Sequence, residues 1–218
     1  MTWHWRETNK GVIRTHKNDW LANRHISIKG YDLKIHTHLA TQHPHIKVAI
    51  DVGANTGQSC IMMSSYCDYV YSIEPIPALY EQLDNTIREN CLDNCESVNM
   101  AAWYEPAIVD MTYRETNSLA SAIDPVKGTI SVTANTIDSL NLPADLLKID
   151  VEGAELQVLQ GAEQTIIQHR PLIVVEMKEN LQPIEDIEIW LKKHDYKEVI
   201  MRLNSRSNRL YKYNDSYI

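Results

Sequence analysis

The sequence predicts an α/β fold, a mostly parallel sheet with helices on both faces. Three observations carry this. Short apolar runs recur at Val48–Val52, Tyr69–Ile73, Leu146–Ile149 and Leu172–Val175, each followed at once by an acid or a glycine. Stretches with apolar residues every three or four positions lie between them, the period of a helix that covers a core. Two of the runs open into glycine-containing turns, at Gly53-Ala-Asn-Thr-Gly57 and at Glu152-Gly153. Strands buried on both faces and alternating with helices require parallel pairing through crossover connections.

Residues 1–47 form an N-terminal extension ahead of the first core strand, and residues 48–218 form the core. Ser27 to His36 reads as a small hairpin turning near Lys29-Gly30, because Leu33 and Ile35 alternate with Asp32, Lys34 and His36. Seven of the nine histidines fall between residues 4 and 45. His36 and His38 are expected on the wet face of that strand rather than on a metal, since no cysteine or carboxylate completes a compact ligand set.

After the acid Glu74, Pro77 suits a first helical turn, and Leu79, Leu83 and Ile87 give one apolar stripe. Glu96 to Ala102 reads as a third strand, Ile108 to Tyr113 as an extra strand, Ser118 to Pro125 as a loop, and Thr129 to Ala134 as a further strand. A helix is expected from Gly153, with Leu156, Leu159, Ala162 and Ile166 inward, ending at Arg170-Pro171. Pro183 opens an amphipathic helix through Ile184, Ile187 and Leu191. Val199 to Leu203 and Arg209 to Tyr213 close the chain as a hairpin. No repeat, low-complexity tract or linker divides the chain, so one domain is expected.

Composition narrows the function. The net charge of −8 argues against a broad surface for nucleic acid or anionic lipid. No run of eighteen apolar residues exists, so no membrane span is expected. Met1-Thr-Trp-His-Trp-Arg6 has no signal-peptide core, which points to a cytoplasmic location. Cys60, Cys67, Cys91 and Cys95 form no C-x-x-C pair and are expected to be reduced thiols. Cys91 and Cys95 could share a helix face.

The glycine turn carries the chemistry. Strand, glycine turn and helix bring bare backbone N–H groups up to a nucleotide-like ligand. Glu74 follows Gly57 by seventeen residues and ends the next strand, where a carboxylate can accept both ribose hydroxyls of an adenosine. No Arg or Lys beside it favours a 2′-phosphate. Ala101 and Ala102 are small where an adenine ring could lie flat. Asp51-Val-Gly53, Glu74, Asp150 and Glu176 are expected to converge at the C-terminal edge of the sheet, where open α/β sheets bind ligands.

These segments resemble a known family. Val48 to Gly57, Ile73-Glu-Pro75, Thr136 to Leu140, Leu147 to Glu155 with Val158-Leu-Gln-Gly161, and Arg170 to Glu176 are similar to the FkbM-type S-adenosylmethionine-dependent methyltransferases. The resemblance implies a Rossmann-like class I methyltransferase fold, with seven strands and the last one antiparallel. It implies O-methylation of a hydroxyl, with S-adenosyl-L-methionine as cofactor and a sugar, glycan or other small molecule as acceptor. By the same resemblance Gly53, Ala54, Asn55 and Gly57 line the methionine and ribose side. Asp51 organises the turn and the methionine amino group, and Glu74 holds the ribose. Asp150 faces the transferring methyl, with Glu176 beside it as a second catalytic candidate.

Members often show Ala-x-Gly-Asp where Ala101-Ala-Trp-Tyr104 stands here, and a glycine where His194 stands. The N-terminal extension matches no family segment, and acceptor choice is expected there. Two other classes stay open: a non-catalytic module that binds the cofactor, and a nicotinamide-dependent oxidoreductase, which the missing Gly-x-Gly-x-x-Gly disfavours. Asp150 could orient the acceptor hydroxyl, take its proton or bind a divalent ion with Glu176, and the alternative to these is capping of the following helix.

Overall fold

The computed structural model describes residues 3–7, 11–16, 33–113, 121–123, 126–178, 180–199 and 208–214. Strands β3 (Val48–Val52), β4 (Tyr69–Ile73), β5 (Cys95–Val98), β10 (Leu146–Ile149), β11 (Leu172–Glu176), β12 (Tyr196–Val199) and β13 (Asn208–Tyr213) form a seven-stranded sheet in the order β12-β13-β11-β10-β3-β4-β5. The five strands from β11 to β5 are parallel, and β13 runs antiparallel to both its neighbours. The closing hairpin is thus present at β12 and β13; residues 200–207 between them lie outside the described residues.

Both faces of the sheet are covered. Helices α1 (Leu33–Gln42), α2 (Gln58–Met63) and α3 (Pro77–Glu89) bury Ile35, Leu39, Cys60, Met63, Leu83 and Ile87 against Ala49, Val70, Leu146 and Val174. On the opposite face, α4 (Glu155–Gly161), α5 (Glu163–His169) and α6 (Ile184–Lys193) bury Val158, Leu159, Ile166, Ile187 and Leu191 against Ile50, Ile73, Leu147 and Ile173. Helix α3 begins at Pro77, where a missing N–H costs nothing. Helix α6 has Glu185 and Asp186 in its first turn and Lys192 and Lys193 in its last, matching the helix dipole.

Several expectations are corrected. Leu33 to His36 is the start of helix α1 and not a strand; residues 27–32 lie outside the described residues. Ile35 and Leu39 repeat at four, and their burial decides the period. His36 therefore lies in the interior at 2 % exposure and not on a wet face. The strand expected over Glu96 to Ala102 breaks after Val98. At the break the Asn99 amide donates to the carbonyls of Glu74 and Pro75, at 2.8 and 3.1 Å. The chain then enters a second, four-stranded sheet, order β6-β9-β7-β8, from β6 (Ala101–Ala102), β7 (Ala107–Thr112), β8 (Ala122–Ile123) and β9 (Ile130–Asn135). Ala122 and Ile123 thus form a strand inside the expected loop, whose residues 118–120 and 124–125 lie outside the described residues.

The helix expected from Gly153 begins at Glu155 and divides at Ala162. Cys91 takes φ 50° after the end of α3, and Cys95 opens β5, so the two share no helix face. All four cysteines are free. The extension contributes a hairpin, β1 (Trp3–Glu7) and β2 (Val12–His16), that docks on α3. Asn90 grips it by accepting the Val12 N–H and donating to the Val12 carbonyl, each at 2.7 Å.

Candidate active site

Four parallel strands end at one level. Val52 pairs in register with Ile73 and with Ile149, and Ile149 pairs with Val175. The next residues are Gly53, Glu74, Asp150 and Glu176, so the four expected strand ends do meet along one edge.

The turn after β3 is closed tightly. The N–H groups of Gly53 and Ala54 both donate to the Ile73 carbonyl at 3.0 Å. Gly53 has φ 84°, and a Cβ there would lie 1.9 Å from the Asp150 carbonyl oxygen. Glycine is required at 53 by the approach of two strand ends. Asn55 takes φ 51° and its side chain accepts the Thr56 N–H at 2.8 Å. Gly57 takes φ 96° and starts α2, under Leu83 and Thr86.

Glu74 is built into that turn. One carboxylate oxygen accepts the Asn55 N–H and the other the Ile76 N–H, each at 2.9 Å. Burial pushes its carboxyl up to about 7, against the pull of those two N–H groups. An apolar cleft runs beside it, lined by Gly53, Pro75, Met100, Ala101, Ala102 and Val151 among others.

Asp51 lies below this edge, fully buried on the face of β3 that carries Ala49 and that α1, α2 and α3 cover. Lys148, its register partner on β10, donates to Oδ1 at 3.2 Å and stands 3.8 Å from Asp150 Oδ2. Asp51 Oδ2 meets no hydrogen-bond donor among the described residues. Burial pushes this carboxyl up, and the Lys148 ammonium opposes it. On the same face His36 pairs with Tyr66 OH through Nδ1 at 2.7 Å and with Ser59 Oγ through Nε2 at 3.4 Å. Burial lowers the His36 imidazole to about 3, so it is neutral.

Carboxylate oxygens of Asp150, Glu152 and Glu176 lie within 4.8 Å of one another. A trio of this kind could hold a divalent ion. Here Lys178 supplies the positive charge, 2.6 Å from Glu152 and 2.7 Å from Glu176. Burial and the neighbouring Asp150 push Glu176 up to about 8, outweighing Lys178. The turn that presents Glu152, at φ 56°, is pinned from beneath by Glu155. The Glu155 carboxylate accepts the Val151 and Gly153 N–H groups at 3.3 and 3.1 Å, and it also pairs with Gln182. Helix α4 is entered through Ala154 without a side-chain cap, so Asp150 does not cap it.

Lys148, Lys178 and Glu155 escaped the sequence reading. A signal was present for the two lysines. Each stands two positions from an acid at a strand end, and a strand puts such residues on one face. A second hollow of about 340 Å³ adjoins the cleft, lined by residues such as Trp103, Ile108, Asp110, Glu152 and Gln157. None of its described lining comes from the N-terminal extension, where acceptor choice was expected.

The sequence pattern of the methyltransferase FkbM domain matches residues 51–206. No curated protein sequence matches the chain. Among solved structures, the FkbM methyltransferase of Methylobacillus flagellatus KT is 20% identical with a TM-score of 0.59, over 77% of this chain and 44% of that one. This chain thus spans under half the length of that relative. M. jannaschii TYW2, solved in complex with AdoMet, is 14% identical with a TM-score of 0.54, over 98% of this chain and 88% of that one. The M. jannaschii tRNA m1G37 methyltransferase is 12% identical with a TM-score of 0.59, over 98% and 57% of the two chains. At these identities the likeness is one of fold, a Rossmann-like methyltransferase fold. The domain match is the stronger finding, because it runs from Asp51 through the glycine turn, Glu74 and the Asp150 segment to beyond Glu176. It covers well over half of the 218 residues, and the chain belongs to the FkbM methyltransferase family.

Proposed function

We propose that the chain is an S-adenosylmethionine-dependent methyltransferase that methylates a hydroxyl of a sugar or another small molecule. The observation that carries this is the meeting of Gly53, Glu74, Asp150 and Glu176 at one level beside an apolar cleft. The donor set fits the cofactor. Each Glu74 oxygen accepts one backbone N–H and keeps acceptor capacity for a ribose hydroxyl. Asp51 Oδ2, buried and without a donor among the described residues, fits an ammonium such as that of a methionine moiety. When bound, S-adenosylmethionine supplies a methyl group on a sulfonium as the electrophile.

The chain's own residues then bind and align. Gly53, Ala54, Asn55 and Gly57 hold the methionine and ribose side, Glu74 the ribose, and Ala101 and Ala102 give a flat apolar seat for adenine. The acceptor hydroxyl must lose its proton as it attacks. Burial and the neighbouring Asp150 push the Glu176 carboxyl up, and one of its oxygens is already engaged by Lys178 at 2.7 Å. Asp150 is therefore the residue we assign as proton acceptor, with Lys148 near its carboxylate.

Incubation with S-adenosylmethionine and a panel of hydroxylated small molecules, read by mass spectrometry, tests this. A gain of about 14 Da on a hydroxyl is expected. A gain on an amine or carbon, with none on any hydroxyl, contradicts the O-methylation part.

A further inference from the structure

We infer that the hollow between the four-stranded sheet and the β10–α4 turn is the acceptor site, shaped for a small hydroxylated ring, uncharged or amine-bearing, laid on Trp103. The inference rests on the methyltransferase reading and names the substrate class of that site.

Position comes first. The hollow shares Ile123 and Ala154 with the cleft that Gly53 and Ala101 line. Its wall includes Glu152, whose carboxylate belongs to the Asp150 and Glu176 cluster. A molecule seated against Glu152 has a hydroxyl beside the carboxylate cluster that includes Asp150. At about 340 Å³ it is near the lower end of small-molecule sites, about 300–1,000 Å³, and suits a ring better than a polymer backbone.

Construction is the second point. The Trp103 main chain is set in place on both sides. Its N–H donates to the Asn135 carbonyl at 2.9 Å. Helix α4 presses on it so closely that a Cβ at Gly161 would lie 2.0 Å from the Trp103 carbonyl oxygen. The indole itself packs against the Tyr104 ring, centroids 5.2 Å apart.

The lining chemistry then selects. Trp103, Ile108 and Ile123 give an apolar face, while Asp110, Glu152 and Gln157 give acceptors for O–H and N–H groups. No Lys or Arg is among the described lining residues. Ser131 donates to Asp110 at 2.6 Å and fixes its carboxylate at the rim. Lys178 offsets the charge of Glu152, so Asp110 leaves the lining net negative, which disfavours a phosphate or carboxylate and favours an ammonium, as an indole face also does.

The test uses the full chain saturated with S-adenosylhomocysteine, saturation-transfer NMR, and three probes of matched size: methyl glucoside, glucosamine and glucose 6-phosphate. The first two should bind and the third should not. Trp103→Ala should weaken both at least tenfold, and Trp103→Phe should restore most of the loss. Asp110→Lys should admit glucose 6-phosphate. All three variants should keep wild-type affinity for S-adenosylhomocysteine, which shows that they fold. Equal binding of glucose 6-phosphate and glucosamine overturns the inference. So does unchanged probe binding by Trp103→Ala, or binding of S-adenosylhomocysteine with no probe bound. Failure of S-adenosylhomocysteine itself to bind overturns the methyltransferase reading and the inference together.

Discussion

Glu74, which follows the last residue of β4, braces the turn after β3 by accepting the Asn55 N–H at 2.9 Å. The residue assigned to the ribose is thus also a structural member of the glycine turn, and its substitution has two effects. Glu74→Ala removes both the brace and the ribose acceptor. Glu74→Gln keeps an oxygen for one N–H but loses the charge. Both should weaken S-adenosylhomocysteine by about 1.5–3 kcal/mol, the range for hydrogen bonds to a charged group. Glu74→Gln should melt closer to wild type than Glu74→Ala. Wild-type cofactor affinity in Glu74→Gln would remove Glu74 from ribose recognition.

The raised carboxyls give the free protein a pH dependence with a definite sign. Glu74 sits at about 7 and Glu176 at about 8, against an ordinary 4.5. Between the ordinary value and these values the folded state binds more protons than the unfolded one. Their contribution is therefore full below the ordinary value and is lost as pH rises from about 5 to about 8, opposed up to about 6.5 by His36, whose lowered imidazole adds stability as pH rises. Urea unfolding across this range should show the decline, and Glu74→Gln should flatten its lower half. Stability that climbs steadily over the same window would show that both carboxyls ionise in the folded protein as freely as in water.

Gly53→Ala should destabilise by at least about 2 kcal/mol, since a left-handed φ and a clash with the Asp150 carbonyl act together. Thermal melting of the free protein reads this without any ligand. An alanine variant as stable as wild type would mean that the turn relaxes and that 53 does not fix the two strand ends.

The main sheet was legible because its strands are buried on both faces. Val48 to Val52 and Leu146 to Ile149 admit few other readings. What failed was short and local. Ser27 to His36 alternates in polarity, yet Ile35 and Leu39 bury as helical neighbours, so tertiary packing overrode a four-residue pattern. The departure at His194 proved small for a visible reason. Asp195, not His194, takes the left-handed conformation at φ 61°, and His194 instead contacts Trp190 and Glu163. In the site, the strand-end acids were readable from their places after apolar runs. Trp103 was not, because Asn135 and Gly161 reach it from segments distant in sequence.

Asp150→Asn separates chemistry from folding. No helix cap is lost, because Ala154 occupies the start of α4. The variant should keep its melting temperature to within a few degrees, bind S-adenosylhomocysteine normally, and lose about 10²–10⁴-fold in turnover of any accepted substrate. Full turnover would move the proton acceptor elsewhere, to Glu176 first.

The central claim is that the edge of Gly53, Glu74 and Asp150 holds S-adenosylmethionine. Isothermal calorimetry of the full chain with S-adenosylmethionine, S-adenosylhomocysteine and NAD tests it most directly. The account predicts one site per chain for both sulfur ligands, no heat with NAD, and loss of binding in Glu74→Ala. Tight binding of NAD with no binding of either sulfur ligand would contradict it.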